Sequence, residues 1–378
     1  MANSSRGTLL LSTNVAWNVA NFRMGLIRAL QRSGWRVVVV AAIDDYCPLL
    51  ESNGVEFVSI PVSPRGVNPF SDLRLLFAYL YIFIKYRPFC YLGFTVKPNI
   101  YGSIAARLVG IELINNIAGL GSVFVRDGLV SRLVAILYKF SLRSSRLVFF
   151  QNEEDLLLFK QRRIVVAEQA RRLPGSGVDL TKFVYKEVAR NTARPFIFLM
   201  ACRLLWEKGV AEYVQAARKL KAKYPHQVEF RLLGFLGNAA DGAVTQTDIS
   251  GWEAEGVVRY LGVSDQVSQE ISACDCVVLP SYYREGVPRV LLEAAAVGRP
   301  IVTTNCVGCK DAVVDGHSGF LCSPRDIDDL TIKMEMVFLL DFESRVHMGR
   351  MGRQHVEDKF DQNIIVKSYL DALDSMRV

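Results

Sequence analysis

A chain of 378 residues, 51% of them hydrophobic and 22% charged, is long enough for two domains with cores of their own, and the even spread of charge excludes a long disordered segment. The formal net charge of +7 suits an anionic partner: a nucleotide diphosphate, an acidic lipid or nucleic acid. From the amino terminus, short β-rich runs alternate with helical patterns. GTLLLST (7–13) reads as a strand, and NFRMGLIRALQRSG (21–34) as a helix closed by Gly34. WRVVVVAA (35–42) is a continuous β-branched run, as in a strand covered on both faces. The helical segment YCPLLESNG then precedes the strand VEFVSIPV, and the aromatic helix LRLLFAYLYIFIKYRPF (73–89) precedes CYLGFT. A helix around IYGSIAARLVG, the strand ELINNIAG, a helix over 129–142 and the strand RLVFFQN complete the series. This alternation predicts an α/β, doubly wound, Rossmann-like domain with a parallel sheet, assigned to residues 1–180.

A weakly patterned bridge covers 174–194. Beyond it come PFIFLMACRL, the amphipathic helix GVAEYVQAARKLKAKYP, QVEFRLLG, VVRYLG, QEISACD, CVVLPSY, PRVLLEAAAVG and PIVTTN. These predict a second domain of the same class in tandem, over 181–359. The terminal segment 360–378 reads as a helix that packs back on the first domain.

The apolar run 75–84 is far short of the roughly twenty residues a spanning helix needs, and basic residues interrupt both 73–89 and 129–150. Two readings stand for these segments: buried or half-buried helices, or a surface whose aromatic and basic residues rest in the lipid headgroup layer. On the second, Tyr79, Phe83 and Lys85 face a membrane. Residues 1–6 and the short run 9–12 do not form a signal h-region, so no export signal is expected, and the eight scattered cysteines read as reduced thiols of a cytosolic protein. Cys306-x-x-Cys309 has no second pair of matching spacing, so no zinc or other metal is expected.

REGVPRVLLEA (284–294) carries chemistry. Pro288 stands where a first helical turn begins. Glu285 then lies on the loop before the helix and Glu293 one to two turns inside it. That spacing is too wide for two carboxylates to share one proton or one metal, but it lets them grip two separate hydroxyl-bearing groups. The backbone N–H groups of the stretch Gly286-Val287-Pro288-Arg289, proline itself having none, would meet an anion between them, as helix openings do. The plainer reading is a solvated loop glutamate and a helix-surface charge.

Four pieces, ACRLLWEKGV, VVRYLG, DCVVLPSYYREGVPRVLLEAAAVGRPIVTTN and GCKDAVVDGHSGFLCSP, resemble in order and spacing the nucleotide-binding domain of the retaining glycosyltransferases of family 4, which have the two-domain B-type (GT-B) fold with a cleft between the domains. FTVKPNIYGSIAARLVG and NNIAGLGSVF resemble the subgroup that extends polyprenol-diphosphate-linked sugars at the cytoplasmic face of the bacterial inner membrane. The resemblance implies that Glu293 binds the ribose hydroxyls, Glu285 the donor sugar, and that Arg203 and Lys208 neutralise the diphosphate. It implies a UDP-sugar donor, here UDP-N-acetylgalactosamine, a lipid-linked sugar acceptor, a peripheral membrane location and no cofactor. Cations at a strand's carboxyl end suit a leaving group on which negative charge develops. On the first domain, Asn18 and Arg23 of the loop NVAWNVANFR and Lys97 after CYLGFT are candidates for the acceptor and its diphosphate; capping by Asn18 or Asn21 is the competing reading.

The chain departs from the family where Ala118, not a histidine, precedes Gly119, and where Asn14-Val15-Ala16-Trp17 replaces a Gly-Gly pair. His226, His317, His347 and His355 all fall in the second half, outside the matched motifs. No histidine is therefore expected to do acid–base work, and the departing phosphate would take the acceptor's proton in a front-face attack. Asp326-Ile327-Asp328 has the form of a metal-binding D-x-D, but it follows Ser323-Pro324 and opens a helix, which favours capping. Gly119-Leu120-Gly121 lacks the third glycine of a dinucleotide fingerprint, and neither a P-loop nor a nucleic-acid motif occurs, so no nucleic-acid partner is expected. Three rivals remain: a UDP-N-acetylhexosamine 2-epimerase on the same scaffold, a binding module that has lost catalysis, and a transferase with a soluble acceptor.

Overall fold

The computed structural model describes residues 6–62, 68–120, 129–188, 190, 194–237 and 242–377. The chain divides into two compact units, 1–176 with 362–378, and 177–361.

In the first unit seven parallel strands run β1 (Thr8–Val15), β2 (Arg36–Ala42), β3 (Glu56–Ser59), β4 (Cys90–Gly93), β5 (Glu112–Ile117), β6 (Leu147–Phe150) and β7 (Ala170–Arg172), in the spatial order β3-β2-β1-β4-β5-β6-β7. Leu9–Leu11 and Val38–Val40 lie fully buried because both faces of the sheet are covered. Alternation sorts the side chains. Leu9, Leu11, Val37 and Val39 join a core with α2 (Met24–Arg32) and α14 (Gln362–Ser375), whereas Leu10, Val38 and Val40 join one with α4 (Pro69–Tyr86) and α5 (Ser103–Leu108). Further along, Ile117, Val148 and Phe150 pack on α6 (Leu129–Leu142) and α7 (Glu153–Gln161), on the face that carries α4 and α5. The last helix is fastened through Tyr369, whose hydroxyl accepts from the Asn116 amide at 3.0 Å and whose ring lies 5.0 Å from that of Phe149.

α4 begins at Asn68, whose side chain caps the N–H groups of Phe70 and Ser71, and stops at Arg87 in the left-handed conformation ahead of Pro88. Tyr79 and Phe83, expected to face a membrane, are instead 0% and 1% exposed. The Tyr79 hydroxyl lies 2.7 Å from Ser12 Oγ, and Phe83 meets the Tyr91 ring edge-on at 5.2 Å. The reason is geometric: a helix laid over a sheet must bury one stripe, and the stripe 75–79–82–83 is the one turned inward. Lys85 is exposed. Of residues 14–23, read from the sequence as a loop, 14–15 end β1 and 16–22 form α1 (Ala16–Phe22); the short α3 (Cys47–Ser52) follows β2. Asp44, two residues beyond β2, accepts from the Trp17 N–H at 2.7 Å and so supplies an acidic group at that helix opening.

In the second unit six parallel strands, β8 (Phe196–Ala201), β9 (Val228–Leu233), β10 (Arg259–Tyr260), β11 (Cys276–Leu279), β12 (Ile301–Thr304) and β13 (Gly319–Cys322), are ordered β10-β9-β8-β11-β12-β13. The chain therefore reverses direction across the sheet at β8, between β9 and β11. The helices are α8 (Val210–Lys223), α9 (Gln246–Ala254), α10 (Val267–Ala273), α11 (Arg289–Val297), α12 (Ile327–Leu339) and α13 (Phe342–Lys359). Asp326 caps α12 by accepting from the Asp329 N–H at 2.9 Å. All eight cysteines are free. Among the described residues no helix is long and apolar enough to cross a membrane. Both units thus carry the doubly wound, parallel architecture that the sequence predicts.

Candidate active site

Open α/β sheets bind ligands beyond the carboxyl ends of the strands at the point where strand order reverses. In the second unit that point lies between β8 and β11, and the candidate residues converge there. Beyond β8, Arg203 stands exposed, then a single 3₁₀ turn, Trp206–Lys208, brings Lys208 back over the sheet end. Gly209 closes that turn at φ 83°, and a Cβ there would lie 2.2 Å from the Pro280 carbonyl oxygen. Only glycine lets the loop after β8 sit this close to the loop after β11. The two loops are laced together by the N–H groups of Tyr282 and Tyr283, which both donate to the Glu207 carbonyl at 3.1 Å.

Lys208 forms an ion pair with Glu285, and the two side chains are only 10% and 12% exposed. Ser281, fully buried, donates to Glu285 Oε1 at 3.0 Å and accepts the Tyr283 N–H at 3.2 Å. The Lys208 ammonium also lies 5.0 Å from the centre of the Tyr283 ring. Burial alone would lower the Lys208 pKa, but the adjoining Glu285 carboxylate more than offsets it, so the group is held above the ordinary lysine value and stays charged. Arg203 opposes that shift, which places its charge within electrostatic reach of Lys208. Burial pushes the Cys202 thiol beside them up to about 12, so it is no nucleophile.

Pro288 is the N-cap of α11, and no side chain caps the opening. Glu293 pairs with Arg289 one turn back, Nε to Oε1, at 2.9 Å. Burial raises the Glu293 carboxyl pKa, with Arg289 and Lys182 opposing. The glutamates thus lie against two different cations. Gly286 and Val287 form the approach to the helix; a Cβ on Gly308 would lie 1.8 Å from the Gly286 carbonyl, so the loop after β12 packs directly under this segment. Sequence reasoning passed over Ser281 and Tyr283. Their signal was position alone, immediately after the buried strand β11.

In the first unit the candidates behave differently. The Asn18 side-chain oxygen is buried and has no hydrogen-bond partner, so it is an unsatisfied acceptor on α1. Arg23 is 4% exposed and its guanidinium stacks 4.3 Å over Phe94. Lys97 pairs with Asp72 at 2.8 Å, and Tyr101 donates to the other oxygen of that carboxylate at 2.9 Å. None of these partners was foreseen. Residue Gly121, in the last of the glycine-containing motifs, lies outside the described residues together with 122–128. The four histidines sit in the second unit; His355 Nε2 meets the Asp311 carbonyl at 3.1 Å, and burial lowers its pKa. Among the described residues no group of three or more His, Cys, Asp or Glu could hold a metal ion.

Residues 182–355 match the family of glycosyl transferases group 1, and residues 19–176 match the glycosyl transferase 4-like domain. The chain is 29% identical, over 94% of its length and 96% of the relative's, to the N,N'-diacetylbacillosaminyl-diphospho-undecaprenol alpha-1,3-N-acetylgalactosaminyltransferase of Campylobacter jejuni. It is 27% identical, over 71% of each chain, to the UDP-Gal:alpha-D-GlcNAc-diphosphoundecaprenol alpha-1,3-galactosyltransferase of Escherichia coli. The crystal structure of Anabaena HepE in complex with UDP and glucose superposes with a TM-score of 0.80 at 20% identity, covering 98% of this chain and 100% of that one. Sucrose-phosphate synthase from Thermosynechococcus elongatus gives the same score and identity, covering 98% and 99%. These structures share the GT-B fold. With both halves matched and the fold shared along the whole length, the chain is a glycosyltransferase, with a glycosyl transferase 4-like domain over 19–176 and a group 1 domain over 182–355.

Proposed function

We propose that the protein transfers N-acetylgalactosamine from its UDP conjugate, with retention of anomeric configuration as in family 4, to a polyprenol-diphosphate-linked sugar at the cytoplasmic face of the bacterial inner membrane. The observation that carries this is the charge arrangement at the switch point of the second sheet: Lys208, buried on Glu285, with Arg203 exposed beside it. The Campylobacter relative, similar over almost the whole chain, supports the transferred sugar and the lipid-linked acceptor, and the Escherichia coli relative, named for UDP-Gal, supports a UDP conjugate as donor.

On this reading the second unit takes the nucleotide sugar and the first the acceptor. Glu293 accepts from the ribose hydroxyls and Glu285 from the hydroxyls of the donor sugar. The opening of α11, with the N–H groups of Gly286, Val287 and Arg289, faces the diphosphate. As the bond between the sugar's C1 and the β-phosphate oxygen breaks, charge grows on that oxygen, and Lys208 and Arg203 stabilise it more than they stabilise the intact donor. The acceptor hydroxyl forms its bond to C1 on the same face, and its proton passes to the departing β-phosphate. That route needs no histidine. Asn18 and Lys97 contact the acceptor, and Arg23, clamped on Phe94, positions α1.

The test is to incubate the protein with labelled UDP-sugars and a bacterial lipid extract, then follow the label into the organic phase and determine the anomer of the product. Label from UDP-N-acetylgalactosamine should move, giving an α product. If no label leaves the aqueous phase, or if the UDP-sugar is epimerised at C2 without acceptor, the reading is wrong.

A further inference from the structure

The buried stripe of α4 leaves an opposite one. Phe70, Leu73, Phe77, Tyr81 and Ile84 recur at helical spacing, and each is at least half exposed. They extend over most of an 18-residue helix, about 27 Å long at 1.5 Å per residue. α5 and α6 lie on the same sheet face as α4, and their outward sides continue the pattern with Leu108, Ile136 and Phe140, 66%, 65% and 53% exposed. The guanidinium of Arg107, on α5, stands 5.3 Å over the Phe140 ring on α6, so the two outward sides are in contact.

Exposed charge on α4, α5 and α6 has one sign, the acidic residues of the layer's next helix, α7, lying outside these three. Arg74, Lys85 and Arg87 on and after α4, Arg107 on α5, and Arg132, Lys139 and Arg143 on and after α6 are all exposed. Within 69–87 and 129–143 the sole acidic residue is Asp72, and it is buried against Lys97. We infer that the outward faces of α4, α5 and α6 together form a docking surface for an anionic lipid bilayer, with the aromatic and aliphatic side chains entering the headgroup boundary and the long basic side chains reaching the phosphates. An apolar stripe flanked by Lys and Arg without exposed acids has the composition of an interfacial helix, and three such helices side by side make a plane rather than a line. A second copy of the chain fits less well, because a two-fold contact would set these like charges against each other. The inference extends the lipid-linked acceptor of the proposed function by naming the surface that meets the lipid, but it does not depend on which sugar is transferred.

The experiment is sedimentation of the full chain with vesicles of phosphatidylcholine containing a quarter phosphatidylglycerol, against vesicles of phosphatidylcholine alone. Binding should favour the anionic vesicles, weaken at 0.5 M salt, and drop about fivefold for each cation removed, as in Arg132→Ala. Phe77→Glu with Ile136→Glu should lower vesicle binding at least tenfold while leaving UDP affinity and the melting temperature unchanged, since both side chains are exposed. Unaltered sedimentation of that double variant overturns the inference. So does a parent that is dimeric by light scattering and becomes monomeric in the variant with vesicle binding intact, which would assign the face to self-association. Loss of vesicle binding in the variant, in a protein that moves no sugar to lipid, would leave the surface standing and remove the proposed reaction.

Discussion

Lys208 and Glu285 offer a measurement in which structural and catalytic roles separate. Their side chains are 10% and 12% exposed, so removing one partner leaves a nearly buried, uncompensated charge. That costs about 3–5 kcal/mol. For a unit the size of 177–361, about 3 °C is lost per kcal/mol, so Lys208→Met should lower the melting temperature of this unit by about 10 °C. Glu285→Gln should cost less than this, because the amide keeps the shape and can still accept from Ser281. The double variant removes both charges and should be more stable than the sum of the single losses predicts, by about 2 kcal/mol, the coupling expected for residues in contact. Turnover should not recover with it. Without the ammonium, the charge that develops on the departing diphosphate is unopposed at that point, and kcat should fall about 10²–10³-fold in Lys208→Met and no less in the double variant. Thermal melts and steady-state transfer assays on the four proteins complete the cycle. Additive losses of stability would show that the pair does not interact, and turnover of Lys208→Met within threefold of the parent would refute its role at the leaving group.

Two further predictions follow from Glu293 and Gly209. Burial raises the Glu293 pKa above the ordinary carboxyl value, so the folded protein binds its proton more readily than the unfolded chain; as pH falls through the raised value, folding stability should gain while UDP affinity, which needs the carboxylate, falls. Glu293→Gln should flatten both trends and weaken UDP binding about tenfold or more, as titration calorimetry between pH 4 and 7 would show. Gly209→Ala should lose most of its turnover, because the new Cβ must push the Lys208 turn away from Pro280, and a displacement near 1 Å costs about 10²-fold. Gly256→Ala, also at positive φ (68°) but with nothing within 4 Å, should lose about 1 kcal/mol in thermal melts and retain its rate.

What could be read from the sequence follows from how local each signal is. The continuous runs 37–41, 196–201 and 276–279 announce strands covered on both faces, and their alternation with helical patterns gives two parallel α/β units without any knowledge of contacts. The candidate residue types could be picked out in the same way, because Arg203, Lys208 and Glu285 follow those strands at short distances. α7, α9 and α13 could not, since EEDLLLFKQ, QTDISGWEA and FESRVHMGRMGRQHVEDK carry weak or polar patterns and are settled by caps at Asn152, Thr245 and Asp341 and by packing. α4 shows the same limit: it is apolar nearly all round, so its sequence could not choose between Tyr79 and Phe77 as the residue turned toward solvent. The sheet chose, by offering Ser12 and Tyr91 to one stripe. Lys97 and Asp72 are 25 residues apart, and Lys208 and Glu285 are 77 apart. The residue types and their spacing were written in the chain, whereas the pairing of these charges was decided by which strand ends and helices the fold sets side by side, since an ion pair requires approach within a few ångströms and sequence distance carries no such information.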